Sequence, residues 1–353
     1  MKKAITPLLF LIVLMSLLLT GCTGTGIATS WPGISYADNR VFMANSSFVF
    51  AINPDNGSMV WRYPEKANAK LSFYAPPAVS AGGLLVVGDY ANTIHALNTS
   101  TGVQAWSYTT GNRIIASAVI EGDTILVPST DRFLYALNPQ GQLLWKYETD
   151  RPLWAQPLVV DGVVYLPGMD RKLYALDLGN GSMIWELDLA SAAIGSPVMD
   201  ENGILYLGTN GKEIVAVNKE SGRVAWRYQN SSSIWANMVL REGILYFGDL
   251  DGNFIALDTT THAPVWQYKA GGAIVSAPAL LEDRLMFSSE NGILNILDYS
   301  GAVLGIPSMS EKLYAGPVLN GDKVLVGINE SKDKVLSAVD QNGTQVWSFQ
   351  PPK

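Results

Sequence analysis

The sequence predicts an all-β protein, an eight-bladed β-propeller of four-stranded antiparallel blades. Two observations carry that expectation: tryptophans recur at a near-constant interval, and the same turn precedes each of them. Trp61, Trp106, Trp145, Trp185, Trp226, Trp266 and Trp347 are spaced by 45, 39, 40, 41, 40 and 81 residues. The double interval contains a degenerate copy, "SGAVLGI", with Gly305 at the tryptophan position. Eight copies of about 40 residues, each rich in alternating apolar residues and Gly/Asx punctuation, mean radial repetition of one supersecondary unit.

The elements follow in chain order. Lys2 and Lys3 form a basic start, and "AITPLLFLIVLMSLLL" follows without a charge, as in a secretory signal segment. It ends at Leu19-Thr20-Gly21-Cys22, and Cys22 is the only cysteine in 353 residues. The expected layout is a signal peptide over 1–21, a lipidated Cys22 with a flexible tether over 22–30, a propeller over 31–349 and a tail over 350–353. Within one copy, "PLVV" leads through Asp161-Gly162 to "VVYLPG"; Asp170-Arg171 leads on to "KLYALD", and Asn180-Gly181 to "SMIWEL". Period-two alternation with β-branched and aromatic residues reads as four short strands. The turn before the last strand opens at Asn53, Asn98, Asn138, Asp177, Asn218, Asp258, Asp298 and Asp340. It closes at Gly57, Gly102, Gly141, Gly181, Gly222, His262, Gly301 and Gly343. An Asx side chain accepts a backbone hydrogen bond two residues on and glycine supplies a positive φ, so these acidic and amide residues are turn chemistry.

Leu19-Thr20-Gly21-Cys22 resembles the lipobox of bacterial lipoproteins, which implies diacylglyceryl transfer to the Cys22 thiol and cleavage before it. Two acyl chains, at about 0.8 kcal/mol per buried CH₂, give a stable membrane anchor. "LYALD" followed by a turn and Gly-x-x-x-Trp is similar to the repeat of the pyrroloquinoline-quinone-like propeller family, over nearly the whole mature chain. Lipobox and repeats together resemble the propeller scaffold lipoproteins of the outer-membrane β-barrel assembly machine. That resemblance implies a non-catalytic protein that binds a partner through loops on one propeller face. No motif for such a loop is identifiable residue by residue.

The enzymatic branch of the propeller family holds its quinone over calcium, and in the alcohol dehydrogenases against a disulfide of adjacent cysteines. This chain has no cysteine pair and no long insertions. His95 stands in the slot of Phe50, Tyr135 and Tyr174, and His262 replaces a turn glycine. Asp251-Gly252 is read as a hairpin turn. No catalytic residue, metal ligand or cofactor is expected, neither quinone nor calcium. The net charge is −7, and loss of Lys2 and Lys3 would take it to −9, which speaks against a nucleic-acid partner.

Binding positions are sought where the copies differ. Aligned on Ile34, Pro77, Ala118, Pro157, Pro197, Met238, Pro278 and Pro317, the copies carry compact residues two positions earlier, as crowding near an axis requires. One position further back stand Trp31, Tyr74, Ile115, Trp154, Ile194, Trp235, Val275 and Tyr314, five of eight aromatic. These rings are expected at one mouth of the central channel, with Arg113 and Arg151 on its rim. They either plug the channel or bind. Trp, Tyr and Arg dominate recognition surfaces.

The leading expectation is a monomeric, lipid-anchored scaffold for envelope protein partners. The alternatives are a receptor for a small molecule, glycan or peptide at the aromatic mouth, and a divergent quinoprotein dehydrogenase. Blade seven, lacking its tryptophan, is expected to be loosely packed, and blade eight to meet blade one without strand exchange.

Overall fold

A computed structural model of the chain describes residues 32–68, 70–329 and 334–352. The predicted signal segment, Cys22, the tether and Trp31 lie outside these residues. Among the described residues, 32 strands form eight antiparallel sheets, each of four consecutive strands. Blade one runs through Gly33–Ala37, Arg40–Asn45, Phe48–Ile52 and Met59–Tyr63. The others span 78–109, 119–148, 158–188, 198–229, 239–269, 279–305 and 318–349. The four strands read from one copy appear at Leu158–Val160, Val163–Pro167, Lys172–Asp177 and Met183–Asp188.

The core is eight seams rather than one centre. Every apolar cluster draws its residues from two neighbouring blades; Ile34, Met43 and Phe50 of blade one, for instance, pack with Leu325, Leu336, Trp347 and Phe349 of blade eight. Each blade alone is a four-stranded sheet with two apolar faces, so stability comes from stacking each against the next.

The repeated tryptophan forms those seams in a specific way. Each ring lies over the turn glycine of the following blade: Trp61 on Gly102, Trp106 on Gly141, Trp145 on Gly181, Trp185 on Gly222, Trp266 on Gly301 and Trp347 on Gly57. The indole N–H of Trp61 donates to the Thr99 carbonyl at 2.9 Å, and Trp106, Trp145, Trp185 and Trp266 repeat the bond one blade on. Gly102 has φ of +71° and its absent Cβ would stand 2.6 Å from the Trp61 ring, so two independent demands select glycine there. His262 keeps the left-handed backbone, φ +58°, and stacks its own ring on Trp226 at 4.4 Å. The Asx residues cap the same turns; Asn98 Oδ1, for example, accepts from the Ser100 and Thr101 N–H groups at 3.0 Å.

Ring closure uses the same device. Trp347 donates to the Pro54 carbonyl at 2.8 Å, and Phe349 meets Phe50 edge-on at 5.2 Å. All four strands of blade eight come from 318–349, so blades eight and one meet by side-chain packing, without strand exchange among the described residues.

Blade seven, expected to be the most loosely packed, pairs its outer strand at two positions only, yet the seam beside it is filled in another way. Its outer strand is short, Val303–Gly305, but Pro307 and Ile296 fill the tryptophan's place over Gly343. A rigid ring two residues downstream thus substitutes for the indole, which the degenerate "SGAVLGI" could not reveal.

Candidate functional site

Two kinds of loop gather on one face, here called the upper face. These are the connections leading into each innermost strand and the turns between each second and third strand. Backbone bonds tie them together: Ile114 N–H to Asp89 O, Leu153 to Ser129, Ile234 to Thr209 and Ile274 to Asp249, at 2.9 to 3.2 Å. The aspartates of these turns are consumed locally. Asp131 accepts from the Gly111 N–H at 2.6 Å and the Tyr135 hydroxyl at 2.7 Å, and Asp170 likewise from Tyr174. Burial, followed by these carboxylate bonds, raises both phenols above the ordinary value. His95 does the same work in blade two: its Nε2 lies 2.8 Å from Asp89 Oδ2, and its Nδ1 3.1 Å from the Tyr63 hydroxyl. The slot reading of His95 therefore gains a physical content, an imidazole standing where sister blades use a phenol.

At the axis, Ala75, Ala116, Ala155 and Ala236 are buried where the chains crowd. A cavity of about 290 Å³ opens there, lined by Pro32, Tyr74, Asn237, Val275, Tyr314 and neighbours from five blades. Tyr74 and Tyr314 thus line the channel. Tyr74 stacks on Tyr90 at 4.1 Å, and the Arg113 guanidinium lies over the Tyr90 ring at 5.1 Å. Burial raises the Tyr74 hydroxyl, against opposing contributions from Ser72 and Arg113. Tyr314 donates to Glu290 at 2.9 Å, and Lys312 reaches both, at 3.0 Å and 3.2 Å. The Lys312 and Tyr314 bonds hold the Glu290 carboxyl below the usual carboxylate range.

Trp154 and Trp235 are not part of that lining; they stand 39% and 37% exposed on the upper face. Arg151, three residues before Trp154 in the same connection, is exposed. Sequence reasoning missed Tyr90 and Glu290, which fix Tyr74 and Tyr314, because both lie in turns between the second and third strands. Aligning those turns across the copies would have found them.

The lining does not suit a quinone-and-calcium centre. Its side-chain oxygens come from Tyr74, Asn237, Ser276 and Tyr314, with no carboxylate among them, whereas calcium seeks six to eight oxygens rich in carboxylate. Among the described residues no three His, Cys, Asp or Glu side chains group as metal ligands.

The fold and its repeats define an eight-bladed propeller of the pyrroloquinoline-quinone-like class. The family described as outer membrane protein assembly factor BamB matches residues 45–198, 134–241 and 212–353, and the chain belongs to that family. Comparison with curated proteins by sequence returns no match. Among solved structures, BamB from Moraxella catarrhalis is similar at 20% identity and TM-score 0.71, covering 88% of this chain and 91% of that one. The computationally designed Ika8 protein shows 15% identity and TM-score 0.74, over 92% and 98%. A europium-containing methanol dehydrogenase shows 11% identity and TM-score 0.74, over 85% of each chain. At these identities the likenesses speak to fold alone.

Proposed function

We propose that this chain is a non-catalytic propeller, anchored by a lipid on Cys22 at the cell envelope, that scaffolds a protein complex there, its process being outer-membrane protein assembly. The observation that carries the reading is the upper face: short, mutually bonded loops present Trp154 and Trp235 on a rigid ring. Exposed aromatic anchors on a preorganised surface are what protein partners bind. The family description, assembly factor BamB, supports the process.

In-cell photo-crosslinking from a probe at Trp154 tests it, with a probe at Val265, 58% exposed on an outer strand, as control. Crosslinks to an envelope protein from 154 and not from 265 are expected. Absence of any protein crosslink at 154 would refute the scaffold. Loss of palmitate labelling in Cys22→Ser tests the anchor.

The second reading, a small-ligand receptor, rests on the 290 Å³ cavity, which is near the lower size of ligand sites. Its residues are Tyr74 and Tyr314, so Tyr74→Ala would abolish ligand uptake and leave a partner bound at Trp154 in place.

A further inference from the structure

In blades two to seven the turn between second and third strands ends on a residue of left-handed backbone. In blades two, six and seven that residue is Asn92, Gly252 and Gly292, with φ of 70°, 78° and 82°. Asparagine and glycine are the residues that reach this region at least cost. Blades three, four and five instead place Arg132, Arg171 and Lys212 there, with φ of 81°, 71° and 66°. Holding an ordinary L-residue in this conformation is strained, and such strain persists where something else retains it. Three consecutive blades thus keep a cation at one equivalent point of the upper face, against the local backbone preference.

The connections add to the same arc. Arg113 enters blade three and Arg151 enters blade four, both exposed. Arg132 pairs with Glu148 at 2.7 Å, but among the described residues Arg113, Arg151, Arg171 and Lys212 make no ion pair. The carboxylates of the arc have partners of their own: Asp131 and Asp170 backbone N–H groups and tyrosines, Asp150 the Lys172 ammonium at 3.8 Å, Asp188 the Ala190 N–H at 2.7 Å, and Glu213 the Arg227 guanidinium at 2.7 Å. Across the channel the equivalent turn positions carry no cation. There the turn residues are glycines, where a side chain would run into the carbonyl oxygens of Gly272 and Glu311. The charges on that side are Asp251, Glu290 and Glu311 with Lys269 and Lys312, the last paired with Glu290 at 3.0 Å. Trp154 stands within the basic arc and Trp235 at its end.

From this arrangement we infer that blades three to five form the docking arc for an acidic, aromatic-bearing polypeptide segment of the partner. The inference rests on the scaffold reading and specifies the chemistry of its partner. Carboxylates of the segment pair with the free cations, and its apolar side chains lie on Trp154 and Trp235. An anionic bilayer fits the face less well, since a membrane lying across it would meet the carboxylates of blades six and seven. Complementary charge of this kind governs encounter and register, and it weakens as salt rises.

The test uses Arg171→Gly/Lys212→Gly, which removes two cations and leaves a residue suited to each backbone. The probe is a fluorescein-labelled peptide of about ten alternating glutamates and tyrosines. Wild type should bind it, with affinity falling roughly ten-fold between about 50 and 300 mM NaCl. The double variant should bind it roughly ten-fold more weakly at low salt, with its secondary structure unchanged. Equal binding by both proteins, or none by wild type, overturns the inference. So does a charge effect seen with phosphatidylglycerol vesicles instead of the peptide. In cells, the crosslink from Trp154 should fall in the double variant. An unchanged crosslink would overturn the acidic arc while leaving the scaffold reading intact.

Discussion

Closure of the ring offers the sharpest energetic test. Gly57 combines a φ of +74° with a distance of 2.6 Å from its absent Cβ to Trp347 Cε3. In Gly57→Ala the left-handed backbone costs about 1 kcal/mol. Forcing the methyl against the indole adds about 1–3 kcal/mol, because Trp347 is 7% exposed, boxed in by Phe50 and Phe349, and cannot swing away. Trp347→Ala alone should cost about 3–5 kcal/mol, from lost burial and the cavity left behind. In the Trp347→Ala background, Gly57→Ala should retain only its backbone part, about 1 kcal/mol. The double-mutant cycle should therefore show a coupling of about 1–3 kcal/mol. Guanidinium unfolding followed by far-ultraviolet circular dichroism measures it without relying on the altered indole. Additivity within about 0.5 kcal/mol would mean that the ring is not closed by this contact.

Other expectations concern single sites. His95→Tyr should be tolerated within about 1 kcal/mol if the phenol reaches Asp89 as Tyr135 reaches Asp131, whereas His95→Phe should lose about 2 kcal/mol by orphaning a buried carboxylate; thermal melts of the pair decide it. Arg171→Gly relieves left-handed strain and should raise stability by up to about 1 kcal/mol in chemical unfolding. Glu290 is held below its ordinary 4.5, so its bonds contribute fully above that pH and are lost as pH falls through the lower folded value. The carboxylate is 37% exposed, so the effect is under about 1 kcal/mol, and Lys312→Met should flatten that part of the acid unfolding curve.

Much of the architecture was legible because the repeat itself is physical. Asn98 and Gly102 announce a turn through hydrogen bonding and positive φ, and Trp61 announces the seam that the turn must cover. Pro307 was illegible for the opposite reason: it acts through its position in space, over Gly343, outside the register of the other copies. The candidate site divides the same way. Tyr74 and Tyr314 were found by register, while Tyr90 and Glu290, which hold them, required the packing of adjacent turns. The left-handed cations at 132, 171 and 212 were in plain view, but nothing in a sequence marks an arginine as strained.

Blade eight packs on blade one as every other blade packs on the next, yet no connection between strands crosses that seam. Seven junctions of the ring are covalent, and among the described residues the eighth is held by side-chain packing, with Trp347 and Phe349 set among Ile34, Met43, Phe50, Leu325 and Leu336. A circular permutant joining residue 349 to residue 32 through a linker like 149–157, and opened between blades four and five, should assemble the same ring. Its weakest junction would then move across the molecule, into the basic arc.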